Sequence, residues 1–267
     1  MISLIIAVAA GLITFFTLEN TTGLHVFWNT VFAFASMITV QLLFGLYFRK
    51  KINAVTEAVQ RVILEGQQKV QRKANMFQHK PAGGIKHMQK LLEKDQHESL
   101  RRAIELTEQL EPLYPWSLLL KKQVATMKMQ FYYQLGEFKK VDELMPDCLF
   151  MDQMSVAMKM ARQYKNDDSA IDKTFKSKIK KFKDERGAIL YALYSWILVK
   201  KGETDKAFEI LTKAKEKLTN ETIHKNWEVL ANGKPKQFSN AALGDEWYSL
   251  RLENPKMPKQ RGQKRFR

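Results

Sequence analysis

The chain has 267 residues, a formal net charge of +16 and a single cysteine, Cys148. One cysteine excludes an intrachain disulfide, so the composition is not that of a disulfide-stabilised secreted domain. The charge is unevenly distributed, because only one of the 28 acidic residues, Glu19, and none of the 44 Lys and Arg residues fall within residues 1–48. The sequence therefore divides into an apolar N-terminal part and a strongly basic remainder.

Two uncharged apolar segments within residues 1–48 predict two transmembrane helices. The first, Ile2–Leu18, is near the lower end of the length that a helix needs to cross about 30 Å of hydrocarbon, and the second is Leu24–Phe48. The short stretch between them predicts an antiparallel helical hairpin. A secretory signal peptide is the alternative for the first segment, but no basic residue precedes it and no small-residue cleavage site follows it.

A basic cluster, Arg49, Lys50 and Lys51, directly follows the second apolar segment, whereas the loop between the two segments has no positive charge. By the positive-inside rule, we expect a protein integral to the cytoplasmic (inner) membrane, with both termini and the body in the cytoplasm. The same three residues are candidate contacts for anionic lipid headgroups. The alternative is that their charge only sets the topology.

Residues 49–84 are predicted to form a basic juxtamembrane helix and a linker. Apolar residues from Ile52 to Val62 alternate in steps of three and four, which makes a two-heptad seam suited to weak self-association. Pro81 and the two glycines that follow it indicate a flexible linker.

From residue 85 to about residue 253 the apolar pattern is helical and repeats. The best-preserved unit, "YALYSWILVKKGETDKAFEILTKAKEKL", pairs two amphipathic helices about Gly202. Gly136 lies in a matching turn 66 residues earlier, and Asp168 falls in a turn 34 residues before Gly202. A weaker fourth unit places Asp95 in its turn.

This pattern resembles the tetratricopeptide repeat (TPR), a pair of helices of about 34 residues. The residues at its packing positions are Tyr132, Gly136, Tyr164, Tyr191, Ser195, Gly202, Ala207 and Ala214. The middle repeat departs from the family, because Lys173 stands where alanine is usual. The layout of two spans followed by such repeats is also similar to a bacterial inner-membrane family associated with haem biosynthesis.

The resemblance implies an all-α protein in which a transmembrane helical hairpin (1–48) is followed by a TPR-like α-solenoid. The solenoid would cover residues 85–253, with a last helix around Leu243, Trp247 and Leu250 as its cap. Residues 254–267 would be a disordered basic tail.

In the tetratricopeptide family, the concave surface of the stacked first helices binds partners. Carried over to this chain, the partner-binding groove would consist of Gln123, Thr126, Gln130, Tyr133, Gln134, Met158, Arg162, Lys165, Trp196 and Lys200. Such a groove is polar, aromatic and mildly basic, so it suits an extended peptide or an acidic helix.

No pattern in the sequence indicates a catalytic, cofactor-binding or metal site. The five histidines have no spaced partners and there is no CxxC pair. We therefore expect no enzyme and no cofactor, but a membrane-anchored scaffold that recruits a protein partner to the cytoplasmic face of the membrane. The alternative is a basic tether for ribosomes, RNA or other nucleic acid, since six lysines lie between residues 173 and 183 and six positive residues follow Asn254.

Overall fold

The computed structural model describes residues 2–23, 25–79, 84–117 and 119–255. Over these ranges the regular structure is entirely helical and contains no β-strand, which confirms the predicted all-α class. The chain forms two compact units, Met1–Leu149 and Phe150–Arg267. The predicted boundaries after residues 48, 84 and 253 stay predictions. The central linker residues 80–83 and tail residues 256–267 lie outside the described residues.

The first unit begins with two apolar helices, α1 (Ile2–Thr22) and the long α2 (Val26–His79). They pack closely, because a Cβ at Gly11 would lie only 3.1 Å from the Ala33 carbonyl oxygen. Thr14 Oγ1 also donates a hydrogen bond of 3.0 Å to Ser36 Oγ. The outward side chains are apolar and exposed, and α1 and the apolar part of α2 are long and apolar enough to cross a membrane.

Helix α2 continues without a break from its apolar part through the basic region, 54 residues in all. Helices α3 (Gly84–Glu108) and α4 (Leu120–Leu135) pack against its second half. Val59 is buried in this core, and Val55 packs against it. The apolar seam from Ile52 to Val62, which suggested self-association, therefore packs against α3 and α4 of the same chain.

The predicted turn at Asp95 is wrong, because α3 runs straight through this position. The Asp95 carboxylate is buried against α2, where Lys69 Nζ lies 3.0 Å from Oδ1 and Lys73 donates to Oδ2. These hydrogen bonds, that of Lys73 above all, lower the pKa of the Asp95 carboxyl. An acidic residue in a polar stretch suggested a turn, whereas its partners lie on the neighbouring helix.

The first unit ends with a helical hairpin. A 3₁₀ segment, Glu111–Trp116, precedes α4, and α5 (Phe138–Leu144) follows it. Gly136 closes α4 at a φ of 77°, a conformation that glycine adopts without a Cβ clash. The glycine predicted for this turn therefore has a positive φ, which favours glycine over other residues.

The second unit is a series of consecutive short helices. They are α6 (Gln153–Lys165), α7 (Ile171–Lys178), α8 (Ala188–Lys200), α9 (Thr204–Lys215), α10 (Glu221–Ala231) and α11 (Asp245–Tyr248). Each of α7 and α9 packs on the helix before it, and α6 also packs on α8. Gly202 turns the chain between α8 and α9 at a φ of 81°. In the predicted turn at Asp168, the residue with positive φ is its neighbour Asp167.

The core of the second unit lies around α8, whose residues 188–198 are all buried. Phe175 of α7 stacks on Tyr194 with ring centroids 4.1 Å apart. Ala207 and Ala214 of α9 have no exposed surface, which allows α9 to approach α8 closely. Of the other predicted packing residues, Tyr191 and Ser195 are buried, and Tyr132 and Tyr164 are half-buried.

The predicted capping helix is not one helix. A 3₁₀ turn at Ala241–Leu243 ends at Gly244, which has a φ of 61°, and the four-residue α11 follows. This positive φ, which glycine adopts without a Cβ clash, breaks the helix that the apolar spacing predicts. The apolar face itself is kept, since Trp247 is 0% and Leu250 1% exposed.

Candidate partner-binding surface

The ten residues of the predicted groove lie on α4 in the first unit and on α6 and α8 in the second. The exposed members are Gln123, Lys165 and Lys200, and the half-buried ones are Gln130, Gln134 and Arg162. The buried members are Thr126, Tyr133, Met158 and Trp196. The last four serve the packing of their own units, so the accessible part of the predicted surface is polar and basic.

Two of the buried residues fasten α4 to its surroundings. Thr126 Oγ1 donates to the Lys122 carbonyl oxygen at 2.8 Å and accepts a hydrogen bond of 2.7 Å from the Leu149 N–H. Tyr133 is 1% exposed and meets the Phe138 ring edge-on at 5.3 Å. Both side chains therefore hold the hairpin of α4 and α5 and the segment that follows it.

Trp196 on α8 lies in an aromatic cluster within the second unit. Its ring meets Tyr164 of α6 edge-on at 5.4 Å and Trp247 of α11 at 5.5 Å. The chain's own C-terminal segment thereby covers the side chain that was predicted to face a partner. Sequence spacing placed Trp196 on the correct helix, but the distant Trp247 that covers it lies 51 positions later.

A carboxylate bridges the two tryptophans. Glu253 Oε1 accepts a hydrogen bond of 2.9 Å from Trp196 Nε1, and its Oε2 accepts one of 3.0 Å from Trp247 Nε1. Lys200 Nζ lies 4.0 Å from Oε1 and 5.1 Å from the centroid of the Trp196 ring. The arrangement shows that an indole N–H and an ammonium group on α8 together accommodate one carboxylate.

A second basic feature lies on the second unit, where the residues that follow α7 and α9 lie beside Tyr191 of α8. A cleft of about 690 Å³ is lined by Lys180, Lys183 and Lys217, together with Ile179 and Tyr191. All three lysines are exposed. Lys178 of the same run is different, because it donates 3.2 Å to the Phe150 carbonyl oxygen and burial lowers the pKa of its amino group.

The predicted lipid-contact residues, Arg49, Lys50 and Lys51, are exposed on α2. Lys51 Nζ lies 4.9 Å above the ring of Tyr47. The exposure of these three residues agrees with their place directly after the second apolar segment. Whether they touch lipid stays a prediction.

Within the described ranges, no group of three or more His, Cys, Asp or Glu side chains could hold a metal ion. No protein-family model, curated protein or solved structure matches the chain. The resemblance to tetratricopeptide repeats and the partner-binding residues therefore stay predictions.

Proposed function

We propose that this chain is a membrane-anchored helical scaffold that recruits a protein partner to the cytoplasmic face of a membrane. The observation that carries the proposal is the construction of α2. Its first part is apolar, exposed and of membrane-spanning length, and its second part forms a core with α3 and α4. Since one uninterrupted helix serves both roles, the core that α2 forms with α3 and α4 is joined directly to the apolar anchor.

In this proposal the helix pairs of the body are TPR-like units. Support comes from the left-handed glycines at the ends of α4 and α8 and from the buried alanines of α9. The partner is a protein segment with acidic side chains, because the exposed members of the predicted groove include Lys165 and Lys200. The contact of Glu253 with Trp196 and Lys200 is an example, within the chain itself, of how this surface holds a carboxylate. Anchoring confines the partner to a thin layer and so raises its effective concentration there.

Cysteine labelling tests the anchoring and the orientation. In a Cys148→Ser background, Thr22→Cys places a thiol at the end of α1 and Lys225→Cys places one on exposed α10. We expect a membrane-impermeant maleimide to label position 22 in intact cells and position 225 only after permeabilisation. The reverse pattern would contradict the orientation, and extraction of the protein by alkaline carbonate would contradict the anchoring.

Photo-crosslinking tests the partner surface. A crosslinker at Arg162 of α6 should capture a defined partner in source membranes, and the double change Lys165→Glu and Lys200→Glu, on α6 and α8 of the same unit, should abolish its capture from Arg162. Lys225→Glu is the matched control, because it is an equally exposed lysine outside the predicted groove. Equal loss in the control, or undiminished capture in the double variant, would refute the assignment of the surface.

The cleft lined by Lys180, Lys183 and Lys217 favours one second candidate, a tether for RNA or ribosomes. Salt separates the two functions, because contacts to several phosphates are lost steeply as ionic strength rises. If membrane recruitment of the native partner collapses in moderate salt and is lost in Lys180→Glu/Lys183→Glu, the tether is the function. Recruitment that depends on Lys165 and Lys200 and persists in Lys180→Glu/Lys183→Glu supports the scaffold.

A further inference from the structure

The 3₁₀ segment Glu111–Trp116 touches the end of the apolar hairpin within the first unit. The Trp116 ring stacks on Phe48 with centroids 4.7 Å apart and on Phe44 at 5.8 Å. Ser3 Oγ of α1 donates to the Trp116 carbonyl oxygen at 3.4 Å. Tryptophan favours the boundary between hydrocarbon and water, because its ring is apolar and its N–H is polar.

A cleft of about 400 Å³ lies at this place, between the first turn of α1, α2 and Trp116. Its polar side chains are Ser3, Gln41, Arg49 and Ser117. Its apolar lining includes Phe44, Phe48 and Trp116. Gly45 also lines it, and a Cβ at Gly45 would have no atom within 4 Å, so the space above this residue is open. Polar and apolar groups thus share one cavity, as an amphiphile requires.

The charge of the cleft is positive. Arg49 is exposed, and no carboxylate from the described ranges pairs with its guanidinium. Lys50 and Lys51 follow it, whereas the next acidic residue along α2 is Glu57. A guanidinium presents parallel N–H donors that match two phosphate oxygens, so Arg49 suits a phosphate group better than a single carbonyl.

We propose that this cleft binds the headgroup of an anionic phospholipid, with the phosphodiester at Arg49. The glycerol and upper acyl carbons lie against Phe48 and Trp116. A free phosphate ion would leave this aromatic wall without a contact, which is why the occupant is a lipid. The proposal rests on the membrane anchoring argued above, since the lipid reaches the cleft from the bilayer.

Native mass spectrometry of the full chain, released from nanodiscs of phosphatidylcholine with a minor fraction of phosphatidylglycerol, tests the site. Gly45→Leu fills the cleft without altering charge, and we expect about tenfold weaker phosphatidylglycerol retention. Ala54→Leu, on an exposed position of α2 outside the cleft, is the matched control and should bind as the wild type does.

A second pair of variants tests whether the positive charge of Arg49 binds the lipid phosphate. Arg49→Gln removes the phosphate ligand and should weaken retention about tenfold or more. Lys50→Gln removes the same charge from the neighbouring residue, which does not line the cleft, and should weaken retention about fivefold at most, by loss of general surface attraction. Equal losses in the two variants would reduce the effect to surface electrostatics and overturn the site.

Further outcomes separate the lipid site from the anchoring. Unchanged retention in Gly45→Leu, or full displacement of the lipid by millimolar inorganic phosphate, overturns the lipid site. A wild-type chain that resists alkaline carbonate, yet retains phosphatidylglycerol no better than phosphatidylcholine, overturns the site and leaves the anchoring intact. Extraction of the wild type by carbonate overturns the anchoring, and the site with it.

Discussion

Replacing Glu253 with alanine tests whether one carboxylate holds the C-terminal segment on α8. Trp247 is 0% and Trp196 5% exposed, so each indole N–H would lose an acceptor now at 3.0 Å or 2.9 Å. A buried donor left without an acceptor costs about 1–3 kcal/mol. Since the Glu253 side chain is 35% exposed, water can partly replace it. We expect the free energy of unfolding of the second unit to fall by about 2–3 kcal/mol in total.

Glutamine at the same position gives an intermediate result. Its amide has one acceptor oxygen, whereas the carboxylate offers one oxygen to each tryptophan. One indole N–H therefore keeps its acceptor and the other faces an NH₂ donor. For Glu253→Gln we expect a loss of about 1–2 kcal/mol, smaller than for Glu253→Ala.

Guanidinium unfolding of the full chain, followed by tryptophan fluorescence, measures the stability, and hydrogen exchange of residues 245–253 locates the change. Glu246→Ala is the matched control, because Glu246 is an exposed acid in the same segment. If Glu253→Ala and Glu246→Ala unfold alike and exchange alike, the apolar packing of Trp247 and Leu250 holds the segment, and the role assigned to the carboxylate is refuted.

Three further predictions concern single positions. Gly66→Ala should destabilise the first unit by about 1–3 kcal/mol, because its Cβ would lie 2.5 Å from Ser99 Cβ, and Gly66→Ala/Ser99→Gly should recover much of the loss in thermal unfolding. Asp95→Asn should cost about 1–2 kcal/mol at neutral pH, a modest value because the lysine partners are half exposed. Since the folded pKa of Asp95 is lowered, this contribution is present above about pH 4 and is lost as the pH falls through the folded pKa, so wild-type and variant stabilities should converge in acid titrations. Gly202→Ala should lower the melting temperature through a cost of about 1 kcal/mol, since a φ of 81° is unfavourable for alanine although nothing obstructs its Cβ, and an unchanged melting temperature would contradict the strain.

The elements that the sequence predicted best are those with local signals. The all-α class and the juxtamembrane helix that begins at residue 49 follow from apolar periodicity and from the absence of turn residues. The turns at Gly136 and Gly202 follow from glycine's access to positive φ. In each case neighbours along the chain carry the information.

The errors arose where a residue's partner is distant in sequence. Asp95 was placed in a turn because its lysine partners on α2 are invisible to local spacing. The burial of Trp196 was likewise not visible in the sequence, because Trp247 and Glu253, which cover it, follow more than 50 positions later. The broken capping helix was also missed, although Gly244 was a signal that could have revealed it.

The apolar, helical N-terminal part and the basic, helical body of this protein are predictable from the sequence, because hydrophobicity and helical periodicity are properties of neighbouring residues. Packing in the folded chain determines that α3 and α4 cover the seam of α2 and that Trp116 returns to the end of the apolar hairpin. It likewise determines that Glu253 bridges two indoles. These contacts join residues far apart in the chain, and packing geometry selects them after the helices have formed.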